Sequence, residues 1–71
     1  MYIKRIRDLR EDSDLTQSQI SDVLNISQRA YSHYELGSRE IPIELLVALA
    51  KDYNTSVDYI LGETNRKERY E

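Results

Sequence analysis

The sequence predicts an all-α protein, a compact bundle of five short helices. Three observations predict it. Apolar residues recur at three- and four-residue spacing from Ile3 to Leu61. The polar residues Thr16, Ser27 and Ser56 stand immediately ahead of such runs, where their side-chain oxygens can accept from the free N–H groups of a first helical turn. Asp14, Asn25, Gly37 and Gly62 stand just behind them, and all four are residue types that tolerate the left-handed conformation ending many helices.

The first helix is expected over Tyr2 to Asp12, with Ile3, Ile6 and Leu9 on one stripe and Lys4, Arg5, Arg7, Asp8 and Glu11 elsewhere. It stops near Asp14, because the cluster EDSD is poor helix interior. Thr16 and Gln19 form a capping-box pair, each side chain answering a backbone N–H, so a second helix starts there and runs to Leu24. Asn25-Ile26 makes the turn and delivers Ser27 as the next cap. A third helix follows from Ser27 to about Glu35. At about 100° per residue, Arg29 lies near 100° from Gln28, Ser32 near 40° and His33 near 140°, whereas Tyr31 and Tyr34 fall near 300° and 240°. The polar and aromatic sets oppose each other, so the amide, guanidinium, hydroxyl and imidazole groups face outward.

Gly37 stops this helix and a loop follows. Pro42 suits a first helical position, where its missing N–H does no harm. The fourth helix is expected over Pro42 to Tyr53, with Leu45, Leu46, Leu49 and Tyr53 on its apolar face. Ser56 caps a last short helix with Val57, Ile60 and Leu61 inward, ended by Gly62. The remainder, ETNRKERYE, has no apolar periodicity and reads as disordered or as an extra polar helical turn. The expected organisation is therefore one domain over residues 1–62 and a polar tail over 63–71.

Seventy-one residues with 39% apolar content make one core and leave no material for a second. With no cysteine and the single histidine His33, neither disulfides nor a zinc site of the usual kind can be assembled, and no cofactor is expected. The charged N-terminus does not read as a secretory signal. The longest apolar run, Leu45 to Ala50, is far short of the roughly 20 residues needed to cross a bilayer. A cytoplasmic protein with no membrane partner is expected.

The net charge of −3 argues against a polyanionic partner, but its distribution matters more. Residues 1–39 hold six basic and six acidic groups, while residues 40–71 hold four basic against seven acidic, so the whole excess lies in the second half. Any surface facing nucleic acid belongs to the first half, with weak non-specific affinity.

Two short capped helices joined by a tight turn from Thr16 to Pro42 are the layout of a DNA-reading helix pair. With the residues in place, Gln17 to Leu36 resembles the helix-turn-helix of the phage lambda-type repressor and Cro family, also called the XRE family. The resemblance extends over residues 3 to 62, through the RxxR-type first helix, the YExGxRxxP run from Tyr34 to Pro42 and the closing SVDYILG. It implies a five-helix lambda-repressor-like domain whose third helix enters the major groove while the second crosses the backbone. On that pattern Gln28, Arg29, Ser32 and His33 face base edges, and Gln17, Ser27, Ser38 and Arg39 meet the DNA backbone. Arg10 and Glu35 stand where the family often has an ion pair. Glycine is usual in the family at Asn25 and frequent at Asp14, and alanine is commoner at Ser21. These substitutes are residues at ease in left-handed geometry or small enough not to force the helices apart.

Each residue also has a plainer reading. Gln28 and Arg29 could be a solvated helix face, His33 a bystander without a catalytic or metal partner, and Lys4, Arg5 and Arg7 ordinary solvated charges. Tyr31, Tyr34 and Tyr53 are expected in the core with their hydroxyls at the rim, leaving Tyr2, Tyr59 and Tyr70 for a partner surface. The expectation is a DNA-binding transcriptional regulator, a repressor acting on an operator as a homodimer, with no catalysis and no small-molecule substrate. Val57, Tyr59 and the loop at Asn54 to Ser56 are the expected dimer surface. The alternative is a helix-turn-helix-fold interaction module or antitoxin whose main partner is a protein.

Overall fold

In a computed structural model that describes residues 2–68, the helices are α1 (Lys4–Asp12), α2 (Gln17–Leu24), α3 (Gln28–Leu36), α4 (Ile43–Asp52) and α5 (Val57–Leu61). No strand occurs among the described residues. The core is a single cluster of Ile3, Ile6, Leu9, Ile20, Tyr31, Leu46, Leu49, Ala50 and Ile60, which draws on every helix. α2 packs on α3 and α4, and α1 packs on α3 and α5, so the helix pair is braced from behind by the rest of the bundle.

The helix starts follow from their caps. Thr16 and Gln19 form the reciprocal capping box, with Gln19 N–H donating to Thr16 Oγ1 at 3.1 Å and Thr16 N–H to Gln19 Oε1 at 2.8 Å. Ser27 Oγ accepts from Ala30 N–H at 3.1 Å, and Ser56 Oγ from Tyr59 N–H at 3.0 Å. The N-terminal boundaries shift inward elsewhere. α1 begins at Lys4 rather than Tyr2, because Ile3 is extended. Pro42 is the residue before α4 rather than its first member, with ψ at 147°. α3 runs one residue further than expected, to Leu36.

All five helices end in one way. Asp14, Asn25, Gly37, Asn54 and Gly62 are left-handed, with φ between 55° and 83°. At each, the left-handed N–H and the next one reach back to carbonyls of the last turn: Asn25 N–H to Asp22 O at 3.1 Å and Ile26 N–H to Ser21 O at 3.0 Å, for example. Ser21, where alanine is commoner, is buried and its hydroxyl donates to Ser18 O at 2.8 Å. The small side chain therefore brings no unsatisfied group into the α2–α3 contact.

Other expectations are corrected by the packing. Leu61 is exposed rather than inward, Tyr34 is half-buried rather than core, and Leu24, Ile26 and Val57 pack on the core from its edge. The hydroxyls of Tyr31 and Tyr53 do not reach the rim. Both are buried and make no hydrogen bond of good geometry. Arg5 is not a solvated charge: its guanidinium lies 4.1 Å from the centre of the Tyr59 ring and donates to Tyr59 O at 2.8 Å, Thr64 O at 2.6 Å and Asn65 Oδ1 at 2.8 Å. Tyr59 is accordingly half-buried beneath it instead of free for a partner. Residues 63–68 contain no helical turn. They are held at Thr64 and Asn65 by Arg5 of α1 and at Lys67 by Thr55, in the loop before α5, whose Oγ1 donates to Lys67 O. Tyr70 and the end of the tail lie outside the described residues.

Candidate nucleic-acid interface

α3 presents one side to solvent because the other carries Tyr31 and Glu35, both buried. On the open side Gln28 and Arg29 are exposed, and Ser32 and His33 half-exposed. Together with Gln17 of α2 and Leu36 they line one open concavity of about 500 Å³. The structure thus brings together all four residues expected to face bases and one of those expected at the backbone. No carboxylate lines the concavity, although the chain as a whole is acidic.

Three of the expected backbone-contact residues have work within the fold. Ser27 is the cap of α3. Ser38 closes its other end: Gly37 N–H donates to Tyr34 O at 3.2 Å, Ser38 N–H to His33 O at 3.1 Å, and the Ser38 hydroxyl to the same carbonyl at 3.3 Å. That hydroxyl also lies 2.9 Å from His33 Nδ1. Which of the two groups donates follows the tautomer of the imidazole. Gln17 donates to Glu35 Oε1 at a long 3.4 Å, and Arg39 is exposed in the loop after α3.

Behind the concavity lies a buried charge. Glu35 is 4% exposed and meets Arg10 through two parallel bonds, Nε to Oε2 and Nη2 to Oε1, both 2.9 Å. Arg10 Nη1 also donates to Leu15 O at 2.9 Å, so the same guanidinium ties α1 and the turn before α2 to the end of α3. Burial by itself would raise the Glu35 carboxyl, but the hydrogen bonds and charge of Arg10 outweigh it and hold the group below the usual carboxylate range. Burial first, and then the adjacent Glu35, push the Tyr31 phenol far above its ordinary value. Burial likewise raises Tyr53 to about 12, against the lowering effect of Arg10. The expected ion pair is therefore present and fixes how α3 sits on the bundle.

A family model described as helix-turn-helix matches residues 6–60. The chain belongs to the helix-turn-helix family. This helix-turn-helix chain is 43% identical over 65 residues to the uncharacterised HTH-type transcriptional regulator YobD of Bacillus subtilis, covering 92% of this chain and 58% of YobD. It is 31% identical over 71 residues to the cryptic phage CTXphi transcriptional repressor RstR of Vibrio cholerae, covering 97% of this chain and 64% of RstR. It is also 35% identical over 63 residues to the antitoxin PezA of Streptococcus pneumoniae, covering 89% of this chain and 40% of PezA. The chain thus spans roughly half the length of these curated relatives. No solved structure matches. The resemblance to the lambda-type repressor and Cro proteins holds for the fold, and the helix pair at the front of this domain is α2 and α3.

Leu36 is the member of the concavity that the sequence reading missed. Ending the helix at Glu35 left it out of the angular count, which places it near 80° from Gln28, in the middle of the polar set. No helix among the described residues is long and apolar enough to cross a membrane, and no group of metal-ligating side chains occurs among them.

Proposed function

We propose that this chain is a sequence-specific double-stranded DNA-binding transcriptional regulator, a cytoplasmic repressor that occupies operator DNA and performs no catalysis. The observation that carries the reading is the concavity along α3: amide, guanidinium, hydroxyl and imidazole groups converge there without a carboxylate, on a chain of net charge −3. Arg29 presents paired donors suited to guanine O6 and N7, and Gln28 a donor and acceptor suited to adenine N6 and N7. Ser32 and His33 extend the same face. At the start of α2 the capping box answers the N–H groups of Thr16 and Gln19, leaving those of Gln17 and Ser18 for a phosphate. The similarity to RstR and YobD, whose names give them as a transcriptional repressor and regulator, supports the same reading.

The regulator acts as a homodimer on a two-fold symmetric site, with half-sites about 34 to 36 Å apart. Selection from a random duplex library, followed by titration of the recovered site, tests the function. Recovery of a symmetric site bound by two copies is the expected result. Absence of duplex binding at about 50 mM salt would instead favour a protein partner, the reading that the similarity to PezA and the acidic net charge support.

A further inference from the structure

Leu36 is 68% exposed, the most exposed of the large apolar side chains among the described residues. The fold gives no reason for a leucine there. It belongs neither to the core nor to the ring of apolar side chains packed around it, and α3 closes behind it through backbone bonds at Gly37 and Ser38. Yet it lines the same concavity as Gln17, Gln28, Arg29, Ser32 and His33. Near 80° from Gln28 it stands between Ser32 near 40° and Arg29 near 100°, two turns and about 12 Å further along the helix. An aliphatic group therefore occupies the middle of a face whose other members are all hydrogen-bonding.

The major-groove edge of DNA offers one apolar group, the C5-methyl of thymine. We propose that Leu36 is a specificity-determining residue that covers a thymine methyl, at a base pair other than the one Gln28 meets. The inference rests on the DNA-binding reading given above. Covering the methyl removes two apolar surfaces from water, whereas the same leucine over the amino group of cytosine or adenine would strip that donor of its water and give it no acceptor. Leu36 thus both favours thymine and disfavours its competitors at one position.

The test uses the duplex selected by the chain itself, with each thymine in turn replaced by deoxyuridine, which removes the methyl and nothing else. Fluorescence-anisotropy titrations compare the natural chain with Leu36→Ala, whose exposed site leaves the core untouched. One replacement should weaken the natural chain about fourfold, the factor for losing one buried methyl. Leu36→Ala should bind the thymine and deoxyuridine duplexes equally at that position. A cytosine placed there, with and without a C5-methyl, asks whether the ligand is any C5-methyl pyrimidine or thymine alone. A penalty that Leu36→Ala leaves unchanged, or no sensitive thymine at all, overturns the role of Leu36 while the DNA reading stands. So does unaltered base preference with weakened self-association, which would place the leucine in a protein interface. Failure of the natural chain to bind any duplex overturns both.

Discussion

A carboxylate that is 4% exposed persists at Glu35 because Arg10 meets both of its oxygens. A pair of this kind adds little net stability over apolar packing, but removing one partner strands the other. Glu35→Ala should lower the urea-unfolding free energy by roughly 3 to 5 kcal/mol, and a loss near zero would show the pair to be wet. The sign of the pH dependence follows from the same contacts. The folded Glu35 carboxyl lies below its unfolded value of about 4.3, so its contribution is present above that pH and lost as pH falls through the folded value. Tyr31 and Tyr53 lie above theirs, so what they contribute is whole below about pH 10 and lost as pH rises through the folded values, about 12 for Tyr53. Unfolding midpoints across pH should therefore fall at both ends, with Glu35→Gln flattening the acid side and Tyr53→Phe the alkaline side. On the exposed side of the same helix, Arg29→Ala should lower affinity for the selected site by about 1 to 3 kcal/mol and relax preference at one base pair. Gln17→Ala should weaken all duplexes evenly. Equal losses of Arg29→Ala on selected and scrambled DNA would remove that residue from base reading.

At the scale of the element, five left-handed helix ends divide the chain into pieces too short to be stable alone, so their stops must be as definite as their starts. Two of the five are glycine and three are Asp14, Asn25 and Asn54, residues for which the conformation is strained but tolerated. Asn25→Gly should be neutral or stabilising, whereas Asn25→Ala should cost about 1 kcal/mol by thermal unfolding, because a Cβ without a polar partner gains nothing from this geometry. A melting temperature raised by the alanine would mean that the turn relaxes out of the left-handed region. The ends at Asp14, Asn25, Gly37 and Gly62, with the caps at Thr16, Ser27 and Ser56, were legible because capping chemistry is local; Asn54, read only as loop, was not. The polar face of α3 was legible because helical periodicity is local too. What was not legible depends on distant contacts. Arg5 reads as a solvated charge until Tyr59, Thr64 and Asn65 are brought to it from the far end of the chain. The depth of the Tyr31 and Tyr53 hydroxyls depends on how the buried pair is surrounded, which no spacing records. Leu36 was missed for a nearer reason: the helix boundary, set one residue short, excluded the position that completes the face.

At the scale of the whole molecule, the described residues span 31 × 22 × 20 Å along their principal axes, small enough for the proposed pair of copies to present their α3 helices one turn of DNA apart. How strongly the proposed pair would hold DNA follows from where the cations stand. Of the six basic side chains in residues 1–39, Lys4 pairs with Asp8, Arg7 with Glu11 and Arg10 with Glu35, and Arg5 is committed to Tyr59 and the carbonyls beyond α5. Only Arg29 and Arg39 stand without a bond to another described side chain, one on α3 and one in the loop that follows it. The remaining surface is acidic in balance and repels a phosphate backbone. Two phosphates neutralised per protomer give a slope of log affinity against log salt of about −1.8, or roughly −3.6 for a bound pair. Affinity for a scrambled duplex should be weak throughout and should flatten further when Arg39 is replaced by alanine, because that removes one of the two charges without touching α3. Anisotropy titrations between about 50 and 200 mM salt read the slope directly. A slope much steeper than this would mean that Lys4 and Arg7 leave their helical partners to join the backbone contacts, and a slope near zero would mean that the acidic half of the molecule decides the encounter.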